Sequence, residues 1–78
     1  MFLTRTERKI INILYNSNIP ISYNDIAQKT GHSPNSIKVY INALKKKGIP
    51  LEVFHAPNGT KLYSINNKEK VRKFYNFE

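Results

Sequence analysis

The sequence predicts a mainly α fold carrying a small β hairpin, an α+β class, as a single domain over residues 1–78. Three observations predict it. The chain has 78 residues, the size of one compact domain. Helix-start signals precede three separate apolar stripes: Thr4-x-x-Glu7, Ser22 and Ser33-Pro34. Two short β-rich runs flank Asn58-Gly59, a turn dipeptide.

The first helix is expected at about 4–16. Thr4 and Glu7 form a capping box, Ile10, Ile13 and Leu14 with Ile11 and Tyr15 give the stripe, and Asn16-Ser17-Asn18 with Pro20 stops it. The second is short, about 23–30, with Ser22 as N-cap and Asp25 at its third position. Ile21 and Ile26 are placed as a hydrophobic staple, and Gly31 serves as a left-handed C-cap. The third is expected at about 34–47, with Ser33 capping and Pro34 at the first helical position. Ile37, Ile41 and Leu44 face inward, Lys45, Lys46 and Lys47 suit the negative end of the helix dipole, and Gly48 stops it. A hairpin follows at about 51–65, with Leu51, Val53, Tyr63 and Ile65 on its core side. Asn67 can cap a final helix at about 68–76 carrying Val71, Phe74 and Tyr75, with Phe77 behind it.

Charge narrows the function. Lys and Arg number 13 against 5 Asp and Glu, a net +8, which draws polyanions: nucleic acid or an anionic membrane surface. Residues 33–49 hold Lys38, Lys45, Lys46 and Lys47 with no acid, so half the net charge sits on the third helix. That helix has no large apolar outer face, which argues against a membrane partner. No apolar run reaches the length of a membrane span, and the N-terminal residues lack the apolar stretch of a signal peptide. Cysteine is absent, which excludes disulfides and thiolate metal sites and fits a cytoplasmic setting in a bacterial or phage-infected cell. Asn, Ile and Lys have A/T-rich codons and occur ten times each, which points to an A/T-rich genome. His32 and His55 are the only histidines and stand apart, in a turn and in the hairpin. No catalytic triad, phosphate-cradling loop or metal-ligand spacing is present, so neither enzyme activity nor a cofactor is expected.

A short helix, a Gly-containing turn (Thr30-Gly31-His32) and a longer helix make a helix-turn-helix signature, and the hairpin behind it makes it winged. The chain resembles a winged helix-turn-helix DNA-binding domain. Locally it is similar to the effector domains of two-component response regulators. Leu3-Thr4-Arg5-Thr6-Glu7 looks like that family's LTxTE start. Ser36 to Lys47 resembles its recognition helix, TVDVHIxxLRKK, and Gly59 to Ile65 its returning wing strand, GxGYxL. The resemblance covers about residues 3–65 and implies DNA binding. Phosphorylation control does not carry over, because neither a receiver domain nor the family's N-terminal strands accompany these residues.

A recognition helix reads base edges from its N-terminal part. Asn35 and Asn42 can pair adenine, Lys38 can reach guanine and Val39 can meet a thymine methyl. Ser36 and Tyr40 can bond phosphate, and Lys45 and Lys46 add charge. Ser22, Tyr23 and Asn24 can present backbone N–H groups to a phosphate. Asn58 and Lys61, with His55, can reach the neighbouring backbone or minor groove. Bland alternatives stand beside these: Asn35 as a first-turn residue, Tyr40 as packing, the lysine run as a dipole partner, Asn58-Gly59 as a turn only. The Val71, Phe74, Tyr75 and Phe77 cluster either packs on the domain's own core or joins a homodimer.

The expected function is a small regulator of transcription that binds duplex DNA. Two alternatives accompany it. One is a replication or architectural factor of a phage or mobile element, with Tyr40, Tyr63 and Phe54 stacking on single strands. The other is a winged-helix protein-interaction module.

Overall fold

The computed structural model describes residues 3–75, with side chains as far as Lys73. The order is α1 (Arg5–Tyr15), β1 (Ile21–Ser22), α2 (Tyr23–Thr30), α3 (Pro34–Lys46), β2 (Leu51–His55), β3 (Lys61–Ile65) and α4 (Lys68–Tyr75).

Each helix start is a satisfied cap. Thr4 Oγ1 accepts from the Glu7 N–H while Glu7 Oε1 accepts from the Thr4 N–H, which closes the capping box. Ser22 Oγ accepts from the Asp25 N–H, Ser33 Oγ from the Ser36 N–H, and Asn67 Oδ1 from the Lys70 N–H. Gly31 closes α2 at φ 77°, with its N–H donating to the Ala27 carbonyl; few residues other than glycine adopt that left-handed conformation.

The core is one cluster. α1 contributes Ile10, Ile11 and Leu14, α2 Ile26 and Ala27, and α3 Ile37, Ile41 and Leu44. Leu3, Ile49, Tyr63, Ile65 and Val71 complete it. On α1 the buried member of the Ile11–Ile13 segment is Ile11, and Ile13 is only half-buried. The stripe centres on the row through Glu7, Ile10, Ile11 and Leu14.

The hairpin differs from expectation in one way. The sheet has three strands in the order β1-β3-β2, because Ile21 and Ser22 pair with Tyr63 and Leu62. A two-residue strand has no periodicity to show in sequence, and its second residue doubles as the α2 cap. The turn lies between the two runs, around Asn58-Gly59, as expected. The Ala56 carbonyl accepts from the Gly59 N–H around Pro57-Asn58, and the Ala56 N–H donates to the Thr60 carbonyl. This is a four-residue turn with Pro second and a left-handed glycine (φ 85°) last. The register pairs Leu51 with Ile65 and Val53 with Tyr63, so those four share the face turned to the core, as expected from alternation.

Val71 corrects the homodimer reading at one position. Its side chain is 0% exposed and lies inside the domain's own core, so it is not available to a second copy. The Phe74 and Tyr75 side chains and all of Phe77 lie outside the described residues.

Candidate nucleic-acid interface

α3 is built so that one side is locked and the other is free. Ser33 and Pro34 fix where it starts, and Ile37, Ile41 and Leu44 fix which face turns inward. At about 100° per residue, Asn35, Val39, Asn42 and Lys46 then fall within about 60° of arc opposite the core. All four are exposed, and Val39 is 67% exposed. Lys38 and Lys45 flank this stripe on one side and are exposed too.

The flanking cations are positioned by aromatic rings. Lys38 Nζ stands 4.6 Å from the centre of the Tyr23 ring, at the start of α2. Lys45 Nζ stands 5.9 Å from the centre of the Tyr63 ring. Burial, and then the neighbouring Tyr23 hydroxyl, raise the Tyr63 phenol above its ordinary 10.0.

On the other flank two expected phosphate ligands are already engaged. Ser36 is half-buried, and its hydroxyl accepts from Ser33 Oγ at 3.0 Å. Tyr40 is half-buried and packs edge-on to the His32 ring, centroids 5.5 Å apart. His32 Nε2 in turn lies 3.5 Å from Thr6 Oγ1, which ties the turn between α2 and α3 to α1.

The α2 start presents Ser22 half-buried, Tyr23 half-buried and Asn24 exposed. The exposed Asp25 carboxylate stands in the same first turn, and its N–H is taken by Ser22. In the wing, Asn58 Oδ1 accepts from the Thr60 N–H, so this side chain shapes the turn. Lys61 is exposed and pairs in register with His55, also exposed. Phe54 is exposed on the sheet face turned away from the core.

The sequence reading missed one contact that reshapes the charge map. Glu7 is only 2% exposed, and Lys47 Nζ donates to its Oε1 at 2.6 Å. Burial alone would raise the Glu7 carboxyl; the Lys47 ammonium and the Thr4 backbone N–H outweigh it and hold its pKa below the ordinary 4.5. Lys47 is therefore a structural partner of α1, which leaves Lys38, Lys45 and Lys46 as the cations of α3. An acid explained by its cap gave no sign of a second partner 40 residues away.

Among the described residues, no His, Cys, Asp and Glu group can hold a metal ion, and no helix is long and apolar enough to cross a membrane.

Solved structures share this fold. MepR, a transcription regulator of the Staphylococcus aureus multidrug efflux pump MepA, matches with a TM-score of 0.79 at 14% identity, over 95% of this chain and 56% of its own. ZitR of Lactococcus lactis matches with a TM-score of 0.74 at 23% identity, over 97% and 52%. The PcaV transcriptional regulator of Streptomyces coelicolor gives 0.74 at 18% identity, over 90% and 49%. The chain thus spans about half the length of these proteins, and at such identities the likeness is one of fold. No curated protein sequence matches the chain. A family model described as winged helix-turn-helix DNA-binding matches residues 3–49, which hold α1, α2 and α3 entire. The chain belongs to the winged helix-turn-helix DNA-binding family.

Proposed function

We propose that this chain binds duplex DNA by laying α3 in the major groove, with the wing beside the neighbouring backbone, and that it serves to regulate transcription. The carrying observation is Val39. A β-branched apolar side chain, 67% exposed at mid-helix, adds nothing to the core and is a poor helix former. Between Asn35 and Asn42 it makes chemical sense as a contact to a thymine methyl, with the two amides on adenine edges. Lys46 extends the same row. The Tyr23 ring holds Lys38 beside the α2 start, which favours a phosphate there over the guanine edge that sequence spacing alone suggested. Lys45 and Lys61 are assigned to the backbone as well, and the free N–H groups of Tyr23 and Asn24 to the phosphate that Lys38 meets. Ser36, Tyr40, Ser22 and Asn58 hold the frame.

Selection of preferred sites from a random duplex library, followed by binding measurements, tests this. Asn42→Ala is expected to weaken the preferred site by about 1–3 kcal/mol and random DNA hardly at all. Lys61→Ala is expected to weaken both alike and to lower the salt slope by about 0.9. A parent protein that binds single strands as tightly as duplex would support the stacking alternative instead.

A further inference from the structure

α1 carries a second cationic face. Its buried row is Glu7, Ile10, Ile11 and Leu14, so Arg5, Arg8, Lys9, Asn12 and Asn16 line the opposite side, and all five are exposed. Of the three bases, Arg5 opens the first turn, where the positive end of the helix dipole disfavours cations, and Arg8 and Lys9 follow at its edge. The one acid of that segment, Glu7, points inward and is consumed by Lys47. None of Arg5, Arg8 and Lys9 makes an ion pair among the described residues. Neither a favourable dipole contact nor an ion pair therefore accounts for them.

The Glu7–Lys47 pair also evens out the charge. By sequence, residues 33–49 carry +4 and residues 1–32 carry +2. With one base and one acid spent on each other, each segment keeps +3. On α3 that charge is Lys38, Lys45 and Lys46. On the N-terminal segment it is Arg5, Arg8, Lys9 and Lys29 against Asp25. The buried rows of α1 and α3 meet in one core, and Thr6–His32 and Glu7–Lys47 link α1 to the turn before α3 and to its C-cap. The outward faces of the two helices accordingly both turn away from that shared core.

From this placement we infer that Arg5, Arg8 and Lys9 form a second polyanion surface, which takes the backbone of a second duplex while α3 holds the first. One copy of the protein then bridges two DNA segments. The inference rests on the α3 reading above. Charge complementarity favours DNA as the occupant: the patch is cationic with amides beside it, and the first duplex brings other segments of the same polymer close. Three point charges without a reading stripe make the contact independent of sequence.

A two-colour bridging assay tests it. Beads carry a labelled duplex with the preferred site, protein is added, and capture of a free duplex with a second label and random sequence is read. The parent is expected to capture the second duplex, and to lose capture steeply between about 50 and 200 mM salt. The triple variant Arg5→Gln, Arg8→Gln, Lys9→Gln is expected to stay on the first duplex within about twofold and to lose capture roughly tenfold or more. Its melting temperature should equal or exceed the parent's, since Gln keeps helix propensity and removes charge from the unfavourable end. A variant that captures as well as the parent overturns the inference, because bridging would then come from paired copies using α3. A parent that holds the first duplex but captures no second overturns it too. A parent that fails to hold the first duplex overturns the α3 reading, and this one with it.

Discussion

Lys47 shows how little a residue's type says about its task. In sequence it is the third of three equal lysines; in the fold it alone turns back to a buried carboxylate. Removing it would strand Glu7 with only its Thr4 bonds. Lys47→Met is therefore expected to destabilise the domain by about 1–3 kcal/mol in urea unfolding at pH 7, discounted for the 30% exposure of the lysine. The sign of the pH dependence follows from the lowered pKa. Stability from the ionised Glu7 is fully present above its ordinary 4.5 and is lost as pH falls through the lower folded value. The gap between parent and variant should shrink over that acid range and stay constant above it. Tyr63 runs the other way: its raised pKa means stability is complete below 10.0 and lost as pH rises through the folded value. Tyr63→Phe should flatten that alkaline loss. Neither effect was legible beforehand, because both come from partners brought together only by the fold.

At the scale of elements, the helices were legible and the sheet only in part. Caps are local chemistry: Thr4, Ser22, Ser33 and Asn67 each bond a backbone N–H three residues on, which sequence spacing alone specifies. Strand β1 was not legible, since its existence depends on pairing with Tyr63 and Leu62, some 40 residues later. The outward row of α3 was legible for the same reason as the caps: once Ile37, Ile41 and Leu44 are inside, helical geometry dictates what is outside. What the row's neighbours do was not, as the Ser33 hydroxyl on Ser36 and the His32 ring on Tyr40 attest. Two predictions belong here. Ser33→Ala is expected to cost about 0.5–2 kcal/mol by thermal unfolding, and to weaken DNA binding only through fraying of the first turn of α3. Gly31→Ala is expected to cost roughly 1–2 kcal/mol from its left-handed backbone alone, because an added Cβ meets nothing within 4 Å.

For the whole molecule, the net +8 resolves into placed surfaces. One buried pair removes a charge of each sign; of the twelve remaining bases, three lie on an α3 face that also carries Asn35, Val39 and Asn42, three on an α1 face with amides alone, and the other six on α2, β3 and α4. Only the first has the chemistry to discriminate bases; the second offers charge without a code. The core between them holds both faces in fixed relation, through Ile10, Ile11 and Leu14 on one side and Ile37, Ile41 and Leu44 on the other. A net count by position gives the charge, and the fold adds that Lys47 and Glu7 are spent on each other. Base reading by α3 sets the molecule's selectivity in this proposal. Its most direct measurement is the affinity of the parent and of an Asn42→Ala, Val39→Ala double variant for the selected duplex and for random duplex, at matched salt. The variant's preference for the selected duplex is expected to fall by roughly tenfold or more while its affinity for random DNA is unchanged. An unaltered preference would contradict base reading by α3.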